Sequence, residues 1–339
     1  MKKKITISDI AAMAGVSKTT VSFVLNNKEG ISHETRDKVL SVIAQTNYTP
    51  TLNSRRLYYR KNFTIAVMFD KDAPGQDNLF SFSVINALMK RCTHYGYALV
   101  YSEYSVENDE CELPQIVLNK DVDGLIFLRD IPLPLISRLH RLEIPFVVAD
   151  DHSEHTALHT VKADYALAAY TAVSYLAQNG HSRIGFIGNA NLPSFYTQVF
   201  SGYQNALKQA GLSLELNWFF DKISDDQTME TELDRLPKNA LPTAFFCMED
   251  LLAIKLMRYL QKRGIRVPED ISVIAIDDIL ISSQIFPALT TVALDKDALG
   301  THAVDLLMES IEGHPPRSIT ISSNNLILRE SVKTLERGK

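Results

Sequence analysis

The sequence predicts two kinds of structure in one chain: a small all-α head with a helix-turn-helix, and an α/β body of two doubly wound parallel sheets. Three observations carry this. Near the start, a lone glycine, Gly15, separates two short stretches with helical apolar spacing. From residue 63 onward, short apolar runs alternate with helical stretches, the pattern of parallel strands covered by helices. Charge is also divided: residues 1–62 hold eleven Lys/Arg against four Asp/Glu, while the whole 339-residue chain has a net charge of −5. A basic head on an acidic body suits a polyanionic partner.

The length exceeds one ordinary domain, and 45% hydrophobic residues can bury sizeable cores. Cys92, Cys111 and Cys247 lie far apart with no CxxC pair, so no zinc site or disulfide framework is expected, and three lone thiols suit a reducing compartment. The opening lysines are not followed by an apolar run of roughly 7–15 residues, so no signal peptide is expected. No stretch approaches the ~18 apolar residues of a membrane span. These features predict a cytoplasmic chain with no membrane association.

In the head, Thr6 stands three residues before Asp9, as in a capping box. In "IAAMAGVSKTTVSFVLN" (10–26), Ile10 and Ala14 share a face, and Ala11 is small enough for a close crossing. Gly15 ends the first helix. Ser17 caps a second whose inward face is Val21 with Val24 or Leu25. Lys18, Thr19, Ser22, Phe23 and Asn26 are then expected on the outer face, where a recognition helix reads bases with its N-terminal residues. An ordinary helical hairpin is the bland alternative. Ser32 starts a third helix carrying Val39, Leu40, Ile43 and Ala44, and Pro50 breaks it. A short segment with Arg55, Arg56 and Leu57 follows, too short to be helical alone without DNA or a partner chain.

In the body the expected elements are strands at 63–69, 97–103, 122–128, 144–150, 183–188, 243–248 and 271–278, with helices at 82–94, 166–180, 199–211 and 250–263. Open parallel sheets bind ligands beyond the carboxyl ends of their strands. Those ends are Asp70-Lys71, Arg129, Asp150-Asp151, Asn189 to Asn191, Glu249-Asp250 and Asp277-Asp278. Converging carboxylates can do acid–base chemistry, but no GxSxG, P-loop or HExxH motif is present, and "GFIGNANLPS" lacks a third glycine. His152, His155 and His159 cluster with Asp150 and Asp151. Surface histidines on a connecting loop are preferred to a metal site, and neither metal nor cofactor is expected. A solute-binding protein fits poorly with the helix-turn-helix head.

The stretch "ISDIAAMAGVSKTTVSFVLNNKEGISHETRDKVLSVIAQTNYTPTLNSRRL" resembles the DNA-binding head and hinge of the lactose-repressor (LacI/GalR) family of bacterial transcription regulators. "DVDGLIFL", "IPFVVAD", "NGHSRIGFIG", "GYQNALKQAGL", "RVPEDISVIAIDD", "PALTTV" and "LILRES" are similar to that family's landmarks, in its order. The resemblance implies a periplasmic-binding-protein-like body, with head 1–48, hinge 49–62, body 63–332 and polar tail 333–339. It divides the body into an N-lobe (about 63–162 and 292–319) and a C-lobe (about 163–291 and 320–332). It implies a homodimeric repressor on a pseudo-palindromic operator, of a sugar-utilisation operon or alternatively of non-sugar genes. The candidate DNA-binding residues are Thr6, Ser17, Lys18, Thr19, Thr20, Ser22, Phe23, Asn26, Arg55, Arg56 and Leu57. Leu57 is implied to wedge into the minor groove; the alternative is a linker leucine covered by the body.

The candidate effector residues are Phe80, Asp150, Phe195, Tyr196, Glu249, Asp250 and Asp277, with the core as the alternative place for each aromatic. Several positions depart from the family's pattern. Phe23 replaces a usual arginine and can touch a thymine methyl or pack on its own helix. Thr51 stands for a common asparagine, and Ile223 for a common aromatic. Val199 stands where a gripping arginine is usual, and Glu249 where asparagine is usual. A neutral sugar, or even a cationic ligand, therefore fits better than a phosphorylated or acidic one.

Overall fold

The computed structural model describes residues 5–25, 30–46, 59, 61–71, 79–108, 110–153, 157–322 and 324–335. The chain divides into two compact units, Met1–Phe63 and Thr64–Lys339. In the first, α1 (Ile7–Ala14), α2 (Lys18–Leu25) and α3 (His33–Thr46) surround a small core of Ile10, Ala11, Ala14, Val21, Val24 and Val39. Ser32 starts α3, its hydroxyl accepting from the Thr35 N–H at 3.3 Å. Leu40 faces solvent rather than this core.

The second unit holds two sheets. The first runs β12-β6-β5-β4-β1-β2-β3. Its strands are β1 (Thr64–Asp70), β2 (Ala98–Glu107), β3 (Glu110–Glu112), β4 (Gly124–Leu128), β5 (Phe146–Ala149), β6 (Thr160–Ala163) and β12 (Ser318–Ile321). All pairs are parallel except the β2–β3 hairpin. The second sheet runs β13-β11-β10-β9-β7-β8. It contains β7 (Ile184–Ile187), β8 (Phe219–Phe220), β9 (Ala244–Cys247), β10 (Ser272–Asp277), β11 (Thr290–Leu294) and an antiparallel edge, β13 (Asn324–Ile327). Central strands such as β4, β5, β7 and β9 are apolar throughout because both faces are buried, as parallel sheets require.

The connecting helices are α4 (Leu79–His94), α5 (Gln115–Leu118), α6 (Leu133–Leu142), α7 (Tyr165–Gln178), α8 (Pro193–Gln209), α9 (Asp226–Leu233), α10 (Asp250–Lys262) and α11 (Lys296–Ile311). The chain passes between the sheets three times: from β6 into α7, from β11 into α11, and from β12 into β13. Each lobe is thus assembled from separated segments. Helices α7 and α8 approach closely at Gly202, where an added Cβ would lie 2.1 Å from the Ala166 carbonyl oxygen.

Candidate functional site

The head's outward face is made by what its polar residues do locally. Thr6 Oγ1 accepts from the Asp9 N–H (3.3 Å), and the Asp9 carboxylate accepts from the Thr6 N–H (2.8 Å), closing a capping box at α1. Gly15 ends α1 at φ 64°, a left-handed conformation that favours glycine. Ser17 Oγ then accepts from the Thr20 N–H (3.0 Å) and lies 2.9 Å from Thr20 Oγ1, starting α2. Thr6, Ser17 and Thr20 are engaged in these caps, while Lys18 and Thr19 stand exposed at the N-terminal end of α2. Phe23 is half-buried. Ser22, expected on the outer face, is instead 8% exposed. It sits beside Val21 and one turn before Leu25, at the edge of the inward stripe. Asn26, Arg55, Arg56 and Leu57 lie outside the described residues.

In the body, a cavity of about 500 Å³ opens at the carboxyl ends of strands from both sheets. The first sheet's side contributes Asp70, Phe80, Val106, Arg129, Asp130, Asp150 and His152, and the second contributes Asn191 to Phe195, Glu249 and Asp277. Tyr165, the first residue of α7, joins them at a crossing between the sheets. Arg129, Asp150 and Asp277 have φ of 69°, 57° and 122°. Such backbone conformations are uncommon for residues with a Cβ and cluster at functional sites. Here they terminate β4, β5 and β10 at the cavity.

The polar contacts join the two sides. Tyr165 Oη donates to Asp150 at 2.7 Å. The His152 N–H donates to Asp130 at 2.6 Å, and Gln198 of α8 donates to the His152 carbonyl at 2.8 Å. The His152 ring lies 5.0 Å from Phe195 and 5.1 Å from Tyr165, centroid to centroid, with Nδ1 3.4 Å from Asp130 and Nε2 3.6 Å from Asp150. Burial pushes the Asp277 carboxyl well above its usual range; nearby Asp250, Glu249 and Asp150 add to this, and Lys296 opposes it. Burial raises Glu249 too, against the pull of Arg129 and Lys255. Asp130 is pushed up by burial but held lower overall by its bonds to His152. The Tyr165 hydroxyl is raised well above the phenol range by burial, then by Asp150 and Asp277. Lys296 donates to the Asp277 carbonyl, with its ammonium 5.4 Å from the Phe80 ring centre.

Phe80, Asp150, Phe195, Glu249 and Asp277 are therefore brought together around one cavity. Asp250 is not: its buried carboxylate accepts from Thr291 (2.6 Å), Ser282 (2.5 Å) and the Ile279 N–H (2.9 Å), fastening the loop after β10 to α10. Tyr196 is not either. One residue along α8 turns it about 100° from Phe195, and it stacks on Phe200 with centroids 5.5 Å apart. His152 and His159 are 7% and 5% exposed, so the surface-loop reading fails for both; His155 lies outside the described residues. Among the described residues no three His, Cys, Asp or Glu side chains are arranged to hold a metal ion. Sequence reasoning gave no effector role to Asp130, His152, Tyr165 or Ser194 and placed Arg129 only among the strand ends. His152 was singled out only as one of three clustered histidines; nothing in the sequence marked Asp130 or Tyr165. Val199 is fully buried on α8, and among the described residues Arg129 is the Lys or Arg that lines the cavity.

Comparison with known proteins agrees with both halves of this geometry. Residues 6–51 match the family model for bacterial regulatory proteins of the lacI family, and residues 173–332 match a periplasmic binding protein-like domain. The chain is 31% identical over 336 residues to the HTH-type transcriptional repressor PurR of Photobacterium profundum, covering 97% of this chain and 99% of that one. Identity to PurR of Pasteurella multocida is 31% over 339 residues, with 97% and 99% covered. Among solved structures, the transcriptional regulator CelR–cellobiose complex superposes with a TM-score of 0.69 at 25% identity, covering 96% and 99% of the two chains. A lac repressor dimer bound to operator and the anti-inducer ONPF has the same fold, with a TM-score of 0.75 at 24% identity over 98% and 100%. With a capped helix-turn-helix at one end, a strand-end cavity in the body and full-length relatives at this identity, the chain belongs to the lacI family of bacterial regulatory proteins, which are DNA-binding transcription regulators.

Proposed function

We propose that this protein is a homodimeric repressor of non-sugar genes that binds a pseudo-palindromic operator and is controlled by a small molecule in the cavity. The observation that carries the reading is the pairing of an exposed Lys18-Thr19 edge on a capped recognition helix with a two-sided cavity at strand ends. Two recognition helices related by a two-fold axis read symmetric half-sites. Lys18 and Thr19 choose bases, and Arg55, Arg56 and the wedge Leu57 bind the backbone and minor groove.

The repressors that match at 31% identity along the full length are named for PurR, which favours non-sugar genes. A sugar effector is the second reading, favoured by the likeness to the CelR–cellobiose complex. Under either reading, five carboxylates and one arginine at the cavity wall disfavour an anionic effector. The test is selection from random DNA, then a ligand screen on the DNA-bound protein. A symmetric motif and a ligand that shifts operator affinity are expected, with operator shifting ligand affinity by the same factor. An asymmetric motif, or ligand and operator affinities that ignore each other, would refute the proposal.

A further inference from the structure

We infer that the cavity's ligand is an organic cation: a small ring or chain bearing a protonated amine that sits among Asp150, Glu249 and Asp277. This rests on the effector-cavity reading above and names the chemistry of that site.

Charge is the first observation. Asp70, Asp130, Asp150, Glu249 and Asp277 line the cavity against one guanidinium, Arg129. The nearby Lys296 ammonium donates to the Asp277 carbonyl rather than to its carboxylate, whose upward shift it still opposes electrostatically. The second observation is a shortage of donors. Asp250, outside the cavity, has three donors. Among the described residues none donates to the side chain of Glu249 or Asp277. The third is His152, 7% exposed, whose Nε2 has no hydrogen-bond partner. Nδ1 lies 3.4 Å from Asp130 and Nε2 3.6 Å from Asp150, so the ring stands between two cavity carboxylates without closing a hydrogen bond at Nε2.

The carboxyls of Glu249 and Asp277 thus face the cavity without a protein donor among the described residues, and a ligand that covers them must supply donors, since buried unpaired acceptors are costly. A sugar or neutral base supplies donors but no positive charge that would let the raised carboxyls of Glu249 and Asp277 ionise. An ammonium supplies up to three donors and a positive charge together. Phe80, Tyr165 and Phe195 present ring surface for the rest of the ligand, and aromatic faces attract cations.

The experiment uses the full-length protein and two matched sets of probes: phenethylamine, 2-phenylethanol and phenylacetate; glucosamine, glucose and gluconate. Binding is followed by titration calorimetry and thermal shift. In each set the amine is expected to bind at least about tenfold more tightly than its neutral counterpart, and the anion not at all. That advantage should fall below about threefold in both Asp277→Asn and Glu249→Gln, two variants so that loss of folding in one leaves the other to decide. A neutral probe that binds as well as its amine, and loses affinity in Asp277→Asn, overturns the amine and leaves the cavity reading intact. A binder indifferent to both substitutions overturns both. Failure of both amines to bind at about 10 mM overturns the amine inference.

Discussion

Lys18 is free to meet DNA because its neighbours are occupied: Ser17 and Thr20 hold the start of α2 while Lys18 points outward. Lys18→Ala should alter one base preference in each half-site and weaken specific binding by about 1–3 kcal/mol, read by selection and by titration on the original site. At Asp277 the argument concerns pH. Its carboxyl is raised by burial first and then by neighbouring acids, so the folded protein holds a proton that the unfolded chain gives up near the ordinary carboxylate value. Stability present at low pH is then lost as pH rises from about 4 through the raised value. Asp250, raised to about 6 chiefly by burial, acts in the same direction. Asp277→Asn should therefore raise the ligand-free melting temperature at about pH 8, with little change near pH 4, and flatten the downward slope. A variant less stable than the parent at pH 8 would show that the carboxylate is compensated. Asp150, Glu249 and Asp277 were legible because an apolar run ending in an acid marks a strand end. His152 and Tyr165 were not, since their burial comes from α8 packing across from the other sheet.

Helices α7 and α8 show how an element depends on one missing side chain. On an exposed helix, Gly→Ala stabilises by about 1 kcal/mol. At Gly202 the new methyl would meet the Ala166 carbonyl oxygen at 2.1 Å and the Ala169 methyl at 2.8 Å. Gly202→Ala is expected to destabilise the body by about 1–3 kcal/mol in urea unfolding, because overpacking outweighs helix propensity. The same helix marks a limit of sequence reading. A start at residue 199 is expected if "PSFYTQ" is a loop, yet α8 begins at Pro193, where proline's fixed φ suits a first helical turn. Long apolar strands such as β1 and β10 are plain in the sequence. The edge strands β3, β8, β12 and β13 are two to four residues long and have no periodicity to read.

At the scale of the molecule, three crossings join the lobes, and Gln198 adds a direct bond across the cavity to the His152 carbonyl. Gln198→Ala should loosen that link. The body's ligand-free scattering radius is expected to rise, and an unchanged radius together with unchanged ligand affinity would show the bond to be incidental. The crossings also impose an order on synthesis. The first sheet gains its edge only with Ser318–Ile321, and the second only with Asn324–Ile327. The head, with its own core, is complete by Thr46. At ~5–20 residues per second, roughly 15–60 s of translation separate the two. A nascent chain thus displays a folded helix-turn-helix long before either half of its control body can close. A chain stopped after residue 316 should keep a protease-resistant head and lose the rest to digestion. Such broken chains would meet operators as half-readers that no small molecule can command.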